Sequence, residues 1–480
     1  MTSVATVAAT SAAAVAPLPP DRAVAHRRPE ADRHRDAAAD GVVRTAATVD
    51  VRRDVPHDPE AVFVDGASPG VDRKLTLDRA IELTLAGNPD LVTLQSAESV
   101  SRAKWNVAAT YPFNPVLNYD VRPATRERTG ETGSTLNTVA ITQEIELAHQ
   151  SRYRNWGGQA ELTSTIWTIR HAEAVAIAQA ERLFFTAVYQ RQLRDVSRTS
   201  AELSSQMVDV LKRRFDAGQA TTSDVALARI ELAAQQRQAD LANAAYASAL
   251  ADLSRHLGVS RDDGLEPDGE LAVWEWQPLA GAVNDDRDDI SIQAAALAAR
   301  RPDVQSAAAA VDAAAAQLAL ARANRTPNLT IGPVYERDES GTTFYGVEGS
   351  LPIPIVDSGR ALVGQRAAEL RAAQVANEQL RRKAELEIQD ALDRYQRALD
   401  STKSLRLTTI NDLAQQVAQV EDQFKAGQTD LLRVFAARAS LLLASRAELD
   451  ALSELTQAAA LVTEVTGLLP AALLSPRSNP

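Results

Sequence analysis

The sequence contains no cysteine among its 480 residues. This absence excludes disulfide bonds, thiolate metal sites, a cysteine nucleophile and a lipid anchor on an N-terminal cysteine. Aromatic residues make up only 4% of the chain, whereas hydrophobic residues together make up 45%. Because large aromatic side chains dominate most compact cores, we expect a thin core built from alanine, leucine and valine.

Long apolar runs and a basic surface are also absent. No uninterrupted apolar run reaches the roughly 18 residues that a membrane-spanning helix needs, so a chain of this kind would cross a membrane as strands. The formal net charge is -12, and no basic stripe interleaved with aromatic residues is visible. Nucleic acid is therefore not expected as a partner.

Signatures of enzymatic chemistry are missing as well. There is no Gly-rich phosphate-binding loop, no H-E-x-x-H pair and no local signature of a Ser-His-Asp arrangement. His149, His171 and His256 stand singly and far apart in the sequence, which favours structural or surface roles over metal ligation. We therefore expect neither an enzyme nor a bound cofactor or metal.

The first seventy residues differ in composition from the rest. Residues 1–20 are Ala-rich and are compatible either with a weak export signal or with plain disorder, because no basic region precedes the apolar stretch. The remainder of residues 1–70 is rich in Arg, Asp, His and Pro without periodicity, which is typical of a segment too polar to order itself. The sequence also shows no means of anchoring the N-terminus without a cysteine.

Beyond residue 70 the chain contains an internal duplication. The segment FDAGQATTSDVALAR, which starts at Phe215, returns as FKAGQTDLLRVFAAR at Phe424, an offset of 209 residues. Further upstream, Pro115 matches Pro327 at an offset of 212, and Ser151-Arg152 are matched with Gly359-Arg360 at 208. The predicted organisation is a first repeat, an inter-repeat linker in an equatorial position, a second repeat and a tail, at residues 71–258, 259–295, 296–470 and 471–480.

Each repeat is predicted to contain a very long helical hairpin. No glycine or proline occurs between Gly158 and Gly218 or between Gly364 and Gly427, and a helix of about 60 residues would be about 90 Å long. A second helix without glycine or proline follows each stretch. The hairpin tips are therefore expected near Gly218 and Gly427, where glycine enters the left-handed cap conformation without steric cost.

Ahead of each long helix lies a pair of segments with strand-like alternation. The β-hairpins are predicted at residues 116–145 and 328–353, which gives four strands per chain. A small soluble sheet is the simpler interpretation of this signal, while a membrane barrel needs at least about 8 strands and hence several chains. Under the membrane interpretation, the residues expected in or beside membrane-spanning strands are Tyr119, Val121, Val139, Ile141, Ile331, Val334, Phe344 and Val347.

Taken together, these segments resemble the TolC-like outer-membrane efflux proteins, and more narrowly the outer-membrane components of heavy-metal efflux systems of the cobalt-zinc-cadmium type. The stretches that carry the resemblance include LTLDRAIELTLAGNPDL, TVAITQEIELAHQSRYR, GVEGSLPIPIVDSGR and the two F-x-A-G-Q tips. The resemblance implies a mainly α fold with a transmembrane β-barrel, built from a duplicated α-β-β-α unit. It implies a homotrimer in the outer membrane with one twelve-stranded barrel, whose long helical hairpins form a periplasmic α-barrel tunnel.

The same resemblance implies partners at the tunnel end. These are an inner-membrane pump of the resistance-nodulation-division type and a periplasmic adaptor. The adaptor contact is expected at the hairpin tips, although the glycines there also suffice to shape the turns. The tip residues concerned are Phe215, Gly218, Gln219, Phe424, Gly427 and Gln428.

A gate is a further hypothesis for the periplasmic mouth. Asp224 and Arg433 lie six residues beyond Gly218 and Gly427, so alternating hairpins in a ring would set a carboxylate beside a guanidinium. The alternative is that both charges simply face water, where exposed pairs contribute only about 0 to 1 kcal/mol.

The leading functional hypothesis is a passive exit duct for metal cations or small toxic compounds. A periplasmic coiled-coil adaptor or scaffold without a barrel is the alternative, and an enzyme on a helical framework is a distant third. One local feature departs from the family pattern. The first strand-to-helix junction reads Ala148-His149-Gln150-Ser151-Arg152, where paired glycine is usual.

Overall fold

The structure is a computed structural model. It describes residues 74–122, 135–260, 264–276, 287–407, 410–467 and 474–476. The predictions for residues 1–70 lie outside these ranges. The described elements are, in chain order, β1 (Lys74–Leu75), α1 (Leu77–Gly87), α2 (Pro89–Ala109), β2 (Val116–Arg122), β3 (Leu136–Ile145), α3 (Gln150–Asp216), α4 (Thr222–Leu257), β4 (Glu266–Pro267), β5 (Trp274–Trp276), α5 (Arg287–Ala298), α6 (Pro302–Ala323), β6 (Leu329–Arg337), β7 (Thr343–Ser350), α7 (Arg360–Leu407), α8 (Ile410–Lys425), α9 (Leu431–Thr466) and β8 (Leu474–Pro476).

The prediction of a mainly helical chain is confirmed. α3 alone contains 67 residues, which corresponds to about 100 Å at the rise of an α-helix. In the second repeat α7 is described up to Leu407 and α8 from Ile410, and residues 408–409 lie outside the described ranges. The long helices pack against returning helices, α3 against α4 and both α7 and α8 against α9.

Short helices at the start of the described chain are fixed by their caps. The Thr76 hydroxyl accepts a hydrogen bond from the backbone N–H of Arg79 and caps α1. Asn88 caps α2 through its side-chain oxygen, and its Nδ2 donates to the carbonyl of His256 at 2.9 Å. The N-P-D motif therefore starts one helix and ties it to the end of α4.

Four strands form one antiparallel sheet in the order β2-β3-β6-β7. These strands occupy the stretches where the alternation predicted two hairpins. β7 ends at Ser350 although the apolar alternation continues to residue 355. In the observed register the first residue of β6, Leu329, lies opposite Leu351, so residues 352–355 have no partner in β6. Pro352 and Pro354 also lack an N–H group.

The helices follow the same order as the strands. α2 packs on α3, α3 on α6, and α6 on α7, so α2 and α7 lie at the two ends of this row. Toward the tips, α3 lies between α4 and α9. Contacts between the two repeats therefore run through α3 with α6, β3 with β6, and α3 with α9.

The structure corrects the match between the two strand-to-helix junctions. His149 precedes α3 with φ 57°, and Gly359 precedes α7 with φ 69°. His149 is thus the counterpart of Gly359 at an offset of 210, and the match of Ser151 with Gly359 at 208 was wrong. Histidine is among the residues that tolerate the left-handed region better than most, so the turn is preserved without glycine.

The boundary predicted for the second repeat, residue 296, lies within a helix. α5 spans Arg287–Ala298 and precedes α6 as α1 precedes α2.

Small residues dominate the core, as the composition suggested. The main cluster includes Ala80, Ala187, Ala391 and Ala458, all with side chains that are fully buried. A few aromatic residues anchor it, and Phe184 packs edge-on against Phe185 with ring centroids 5.5 Å apart. Alanine keeps the helices close together, so long helices can pack side by side on a narrow core.

Among the described helices, α6 is the one whose length and composition would allow it to cross a membrane. It packs instead on α3 on one side and α7 on the other. The apolar character of α6 thus reflects its position inside the row of helices.

Candidate functional site

The four-stranded sheet has two chemically different faces. Paired residues of adjacent strands project to the same side, and one row across the sheet consists of Tyr119, Val139, Tyr335 and Tyr345. This side is here called the apolar face. Its large apolar residues are Leu117, Tyr119, Val121, Val139, Ile141, Ile145, Leu329, Ile331, Tyr335, Tyr345 and Val347.

Much of the apolar face is exposed to solvent in the single chain. Tyr345 is 83% exposed and Val347 is 73% exposed. The rings of Tyr335 and Tyr345 stack at a tilt with centroids 5.5 Å apart. A contiguous exposed apolar surface of this kind marks a site of contact with lipid or with another protein.

The opposite side is here called the polar face. Thr138 pairs with Asp120 and with Glu336 in one row, and Glu348 pairs with Gly332 in another. Arg122 on this face donates to Asp120 at 2.5 Å. Most of the polar and charged side chains of the sheet therefore lie on this face, together with a few apolar ones.

The register separates the eight residues predicted for membrane strands into two groups. Val334 and Phe344 lie on the polar face, because Val334 pairs with Ala140 and Phe344 pairs with Glu336. The other six lie on the apolar face. All eight are on strands, but the placement of these strands in a membrane stays a prediction.

Both edges of the sheet are open in the described chain. β2 pairs only with β3, and β7 pairs only with β6. Every residue of β2 and of β7 is exposed. Edge strands present unpaired N–H and C=O groups and are ready templates for pairing with another chain.

A buried polar cluster joins the sheet to the helices. Gln150, only 2% exposed, donates from Nε2 to Oδ1 of Asn328 at 2.9 Å, and Asn328 donates to Oε1 of Glu144 at 2.8 Å. Glu146 accepts from the backbone N–H of Ser151 and forms an ion pair with Arg154. These contacts fix the entry of α3 beneath β3 and β6.

The two hairpin tips have the same backbone geometry. At the first tip the N–H groups of Gly218 and Gln219 donate to the carbonyls of Phe215 and Arg214. This pair of bonds around a glycine with φ 72° is a Schellman motif.

At the second tip, Gly427 and Gln428 donate in the same way to Phe424 and Gln423. The φ of Gly427 is 75°. Each tip thus needs its glycine for the left-handed position.

The tips of the two repeats pack against each other within one chain. Val208, Val225, Phe424 and Val434 belong to one buried cluster. The Arg214 guanidinium lies 4.6 Å from the centroid of the Phe424 ring and donates to the Phe424 carbonyl. Phe215, the counterpart of Phe424, is 45% exposed, so the two equivalent phenylalanines have different surroundings.

Asp224 and Arg433 occupy the same helical position in the two repeats. Thr221 caps α4 and accepts from the N–H of Asp224, while Asp430 caps α9 and accepts from the N–H of Arg433. Hydrogen bonds from the Thr221 backbone and hydroxyl hold the pKa of Asp224 below its ordinary value. The described part of the chain shows no ion pair between Asp224 and Arg433, so the gate stays a prediction that concerns contacts between chains.

A second charged cluster lies within the second repeat, where α6 begins. Arg301, which is 8% exposed, binds both oxygens of Asp303 and donates to Glu387 at 2.8 Å. Burial opposes the charged form of Asp303, but the hydrogen bonds and charge of Arg301, with smaller contributions from His171 and the Val304 N–H, together hold the pKa of Asp303 below its ordinary value. The R-P-D motif therefore fastens α6 to α7.

Sequence reasoning missed one buried carboxyl group. Glu181 on α3 has no exposed surface, and burial raises its pKa to about 7 against the weaker opposing effects of Thr463 and Arg182. The Thr463 hydroxyl donates to the carbonyl of Ala459, and neither carboxylate oxygen of Glu181 has a hydrogen-bond partner among the described residues. The alanine-rich sequence before Glu181 was the one sequence feature that pointed to a buried position.

The described residues contain no group of three or more histidine, aspartate or glutamate side chains that could hold a metal ion. Of the histidines, His256 is engaged by the carbonyl of Ala176 and by Asn88. His149 serves the turn before α3.

Comparison with known proteins adds a family match. Residues 294–468 match the family described as outer membrane efflux protein. The chain is similar to the pyoverdine export outer membrane protein OpmQ of Pseudomonas putida, with 23% identity over 76% of this chain and 80% of OpmQ. It is also similar to the cobalt-zinc-cadmium resistance protein CzcC of Cupriavidus metallidurans, with 23% identity over 82% of this chain and 90% of CzcC.

Among solved structures, the fold is similar to that of the outer-membrane channel OprN. The TM-score is 0.65 at 18% identity, and the match covers 82% of this chain and 90% of OprN. The likeness therefore extends over both repeats and supports a common fold.

Proposed function

The chain belongs to the outer-membrane efflux protein family, and we propose that it serves as the outer-membrane exit duct of a tripartite efflux system. In this role it conducts substrate passively from an inner-membrane pump and a periplasmic adaptor to the exterior. One of the two relatives is named as an outer-membrane export protein and the other as a metal-resistance protein. The long helices carry the path across the periplasm, and the sheet carries it through the membrane.

The observation that carries this proposal is the two-faced sheet. Strands of β-barrels in membranes alternate apolar residues toward lipid with polar residues toward the lumen. The apolar face, with Tyr345 and Val347 largely exposed, suits lipid, whereas Asp120, Glu336 and Glu348 suit a water-filled lumen. A small soluble sheet would bury its apolar side on a core, and this sheet does not.

The open edges support assembly with further copies. A closed barrel has no edge strands, and four strands are too few to close one. Three copies would give twelve strands, each β7 meeting the β2 of a neighbour. In this trimer the row α2-α3-α6-α7 of each copy would continue around a helical tunnel in the same order.

The tips are proposed as the contact with the adaptor. Gln219 and Gln428 are exposed at the Schellman turns, where the two long hairpins reverse. The proposed pump is of the resistance-nodulation-division type. Asp224 and Arg433 lie one turn into the following helices, so a gate formed between neighbouring copies would sit close to the same contact.

The proposed substrates are metal cations or small toxic compounds. The names of the two relatives refer to different substrates: OpmQ is named for pyoverdine export, and CzcC is named for resistance to cobalt, zinc and cadmium. Relatives of equal identity thus serve chemically different substrates. We therefore assign the choice of substrate to the pump and a passive role to the duct.

Fractionation combined with electrophoresis tests the proposal. The full chain expressed in a Gram-negative host should sediment with the outer membrane and migrate as a heat-resistant trimer in detergent. A soluble periplasmic monomer would contradict the duct and favour the alternative of an adaptor or scaffold.

A further inference from the structure

We propose that residues 351–355, which are not a strand in the single chain, become one by pairing with β2 of a second copy, with Ile353 opposite Tyr119 and Ile355 opposite Leu117 of that copy. This inference rests on the proposed function, because it requires that copies assemble side by side. Beyond the proposed contact of β7 with β2 of a neighbour, the inference specifies which residues pair and lengthens β7 by residues 351–355.

Exposure on both partners is the first observation. Leu351, Ile353 and Ile355 are 52%, 76% and 83% exposed, and Leu117 and Tyr119 are 66% and 67% exposed. The five residues share the parity of the apolar face. Pairing of the two edges would therefore extend that face across the boundary between copies without interruption.

The internal repeat supplies the second observation. At the offset of 212 that matches Pro115 with Pro327, Leu117 corresponds to Leu329. At the offset of 210 that matches His149 with Gly359, the sequence IELAHQ from Ile145 corresponds without a gap to IVDSGR from Ile355.

The observed pairings agree with these two offsets. In the first hairpin Leu117 pairs with Ile141. In the second hairpin the register that pairs Thr330 with Ser350 brings their counterparts, Leu329 and Leu351, opposite each other. The two hairpins are therefore equivalent residue by residue.

The contact between the repeats then serves as a template for the contact between copies. Within the chain, β3 of the first repeat pairs with β6 of the second, with Ile145 opposite Leu329 and Gln143 opposite Ile331. At the offset of 210, Ile145 and Gln143 of β3 correspond to Ile355 and Ile353. At the offset of 212, Leu329 and Ile331 of β6 correspond to Leu117 and Tyr119 of β2. The template therefore places Ile355 opposite Leu117 and Ile353 opposite Tyr119.

Proline placement restricts this segment to one edge. In a strand, N–H groups of alternate residues point to opposite edges, so Leu351, Ile353 and Ile355 donate along the same edge, and Pro352 and Pro354 leave the other edge without donors. Such a segment can pair with one neighbour only. β6 ends opposite Leu351, so Ile353 and Ile355 have no partner in β6 and can pair with β2 of another copy.

Pairing must replace one local contact. In the single chain the N–H of Ile355 donates to the carbonyl of Ile353 at 2.9 Å, which bends the segment. An interstrand bond replaces it on assembly, so no donor is lost.

Cysteine pairs test the register, because the natural chain contains no cysteine. The variants are Tyr119→Cys with Ile353→Cys and, independently, Leu117→Cys with Ile355→Cys, each in the full-length chain in outer-membrane vesicles. Directly opposite residues have Cβ atoms about 4.5–5.5 Å apart, whereas diagonal neighbours are about 7–8 Å apart. The matched control is the diagonal pair Tyr119→Cys with Ile355→Cys. A mild oxidant forms the disulfides, which only closely opposed cysteines can make.

We expect both register pairs to convert most of the monomer band into covalent dimer and trimer, and the diagonal pair to convert little. Disulfide products should disappear on reduction. Preferential crosslinking of the diagonal pair would overturn the register. An intact heat-resistant trimer in which neither register pair crosslinks would also overturn it while leaving the duct in place, whereas a natural chain that forms no trimer would remove the proposed function itself.

Discussion

Glu181 is a fully buried carboxyl group in surroundings that disfavour its ionised form. A carboxylate without hydrogen-bond partners in an alanine-rich interior is costly when ionised. Burial raises its pKa from 4.5 to about 7. The folded state therefore keeps its proton over a range of pH in which the unfolded chain has released it.

This shift sets the sign of a pH dependence. Stability should fall as pH rises from about 4.5 to about 7, by roughly 3 kcal/mol in total, because each pKa unit corresponds to 1.36 kcal/mol. Glu181→Gln should remove this loss, so its heat-dissociation midpoint should exceed that of the natural chain at pH 8 and approach it at pH 5. Glu161→Gln, at an exposed position of the same helix, is the control and should follow the natural chain. Equal midpoints for Glu181→Gln and the natural chain at both pH values would contradict the assignment.

The proposed gate is also a matter of single residues. Asp224→Ala would break the capping box of α4 together with the charge, so Asp224→Asn, which keeps an oxygen acceptor, is the cleaner change. Asp224→Asn and Arg433→Gln should each raise conductance, with an effect on open probability of up to about fivefold for a pair contributing about 1 kcal/mol. The double variant should add little to either. Additive effects, or unchanged conductance in both single variants with the trimer intact, would leave both residues as solvated charges.

At the scale of elements, the strands give the sharpest contrast between adjacent residues. Val139 lies on the apolar face and Thr138 on the polar face. Val139→Arg should impair assembly in the outer membrane, because arginine facing lipid near the midplane costs roughly 2–4 kcal/mol. Thr138→Arg, which would sit beside Asp120 and Glu336, should assemble at nearly the natural level. Equal amounts of trimer for the two variants would show that the apolar face does not meet lipid.

The hairpin tips lead to a prediction about partners. Photocrosslinkers at Gln219 and at Gln428 should capture the periplasmic adaptor when it is coexpressed, because both side chains project from the turns. Ser340, in the turn between β6 and β7, is the matched control at the other end of the strands. Capture from Ser340 alone would place the adaptor at the turn between β6 and β7 and would contradict a contact at the hairpin tips.

The tips were predictable from sequence because a Schellman turn demands a glycine, and the same F-x-A-G-Q stretch appears twice. The strands were also predictable, but not their faces. Val334 and Phe344 are apolar residues on the polar face, so alternation alone did not fix which side meets lipid. The equivalence of His149 and Gly359 was missed because the sequence comparison matched residue types, whereas the two residues share a left-handed backbone conformation. The burial of Glu181 was missed because a glutamate in a long helix is normally exposed, and only the packing of α9 on α3 shows that this one is covered.

At the scale of the whole molecule, duplication explains why one chain is incomplete. Each repeat offers one edge to its sister repeat, as β3 pairs with β6 and α3 packs on α6. The two remaining edges, β2 with α2 and β7 with α7, stay open. In the proposed ring of copies, the contact between the repeats would recur at every boundary and no edge would stay open.

Single-channel recording on the purified trimer in a planar lipid bilayer tests this account most directly. A barrel lined by the polar face should give discrete, long-lived conductance steps at neutral pH, and the Val139→Arg variant should give far fewer insertions than Thr138→Arg at equal protein concentration. An intact trimer that inserts but never conducts under an applied voltage, even when Asp224→Asn and Arg433→Gln are combined, would contradict the claim that this protein is a duct.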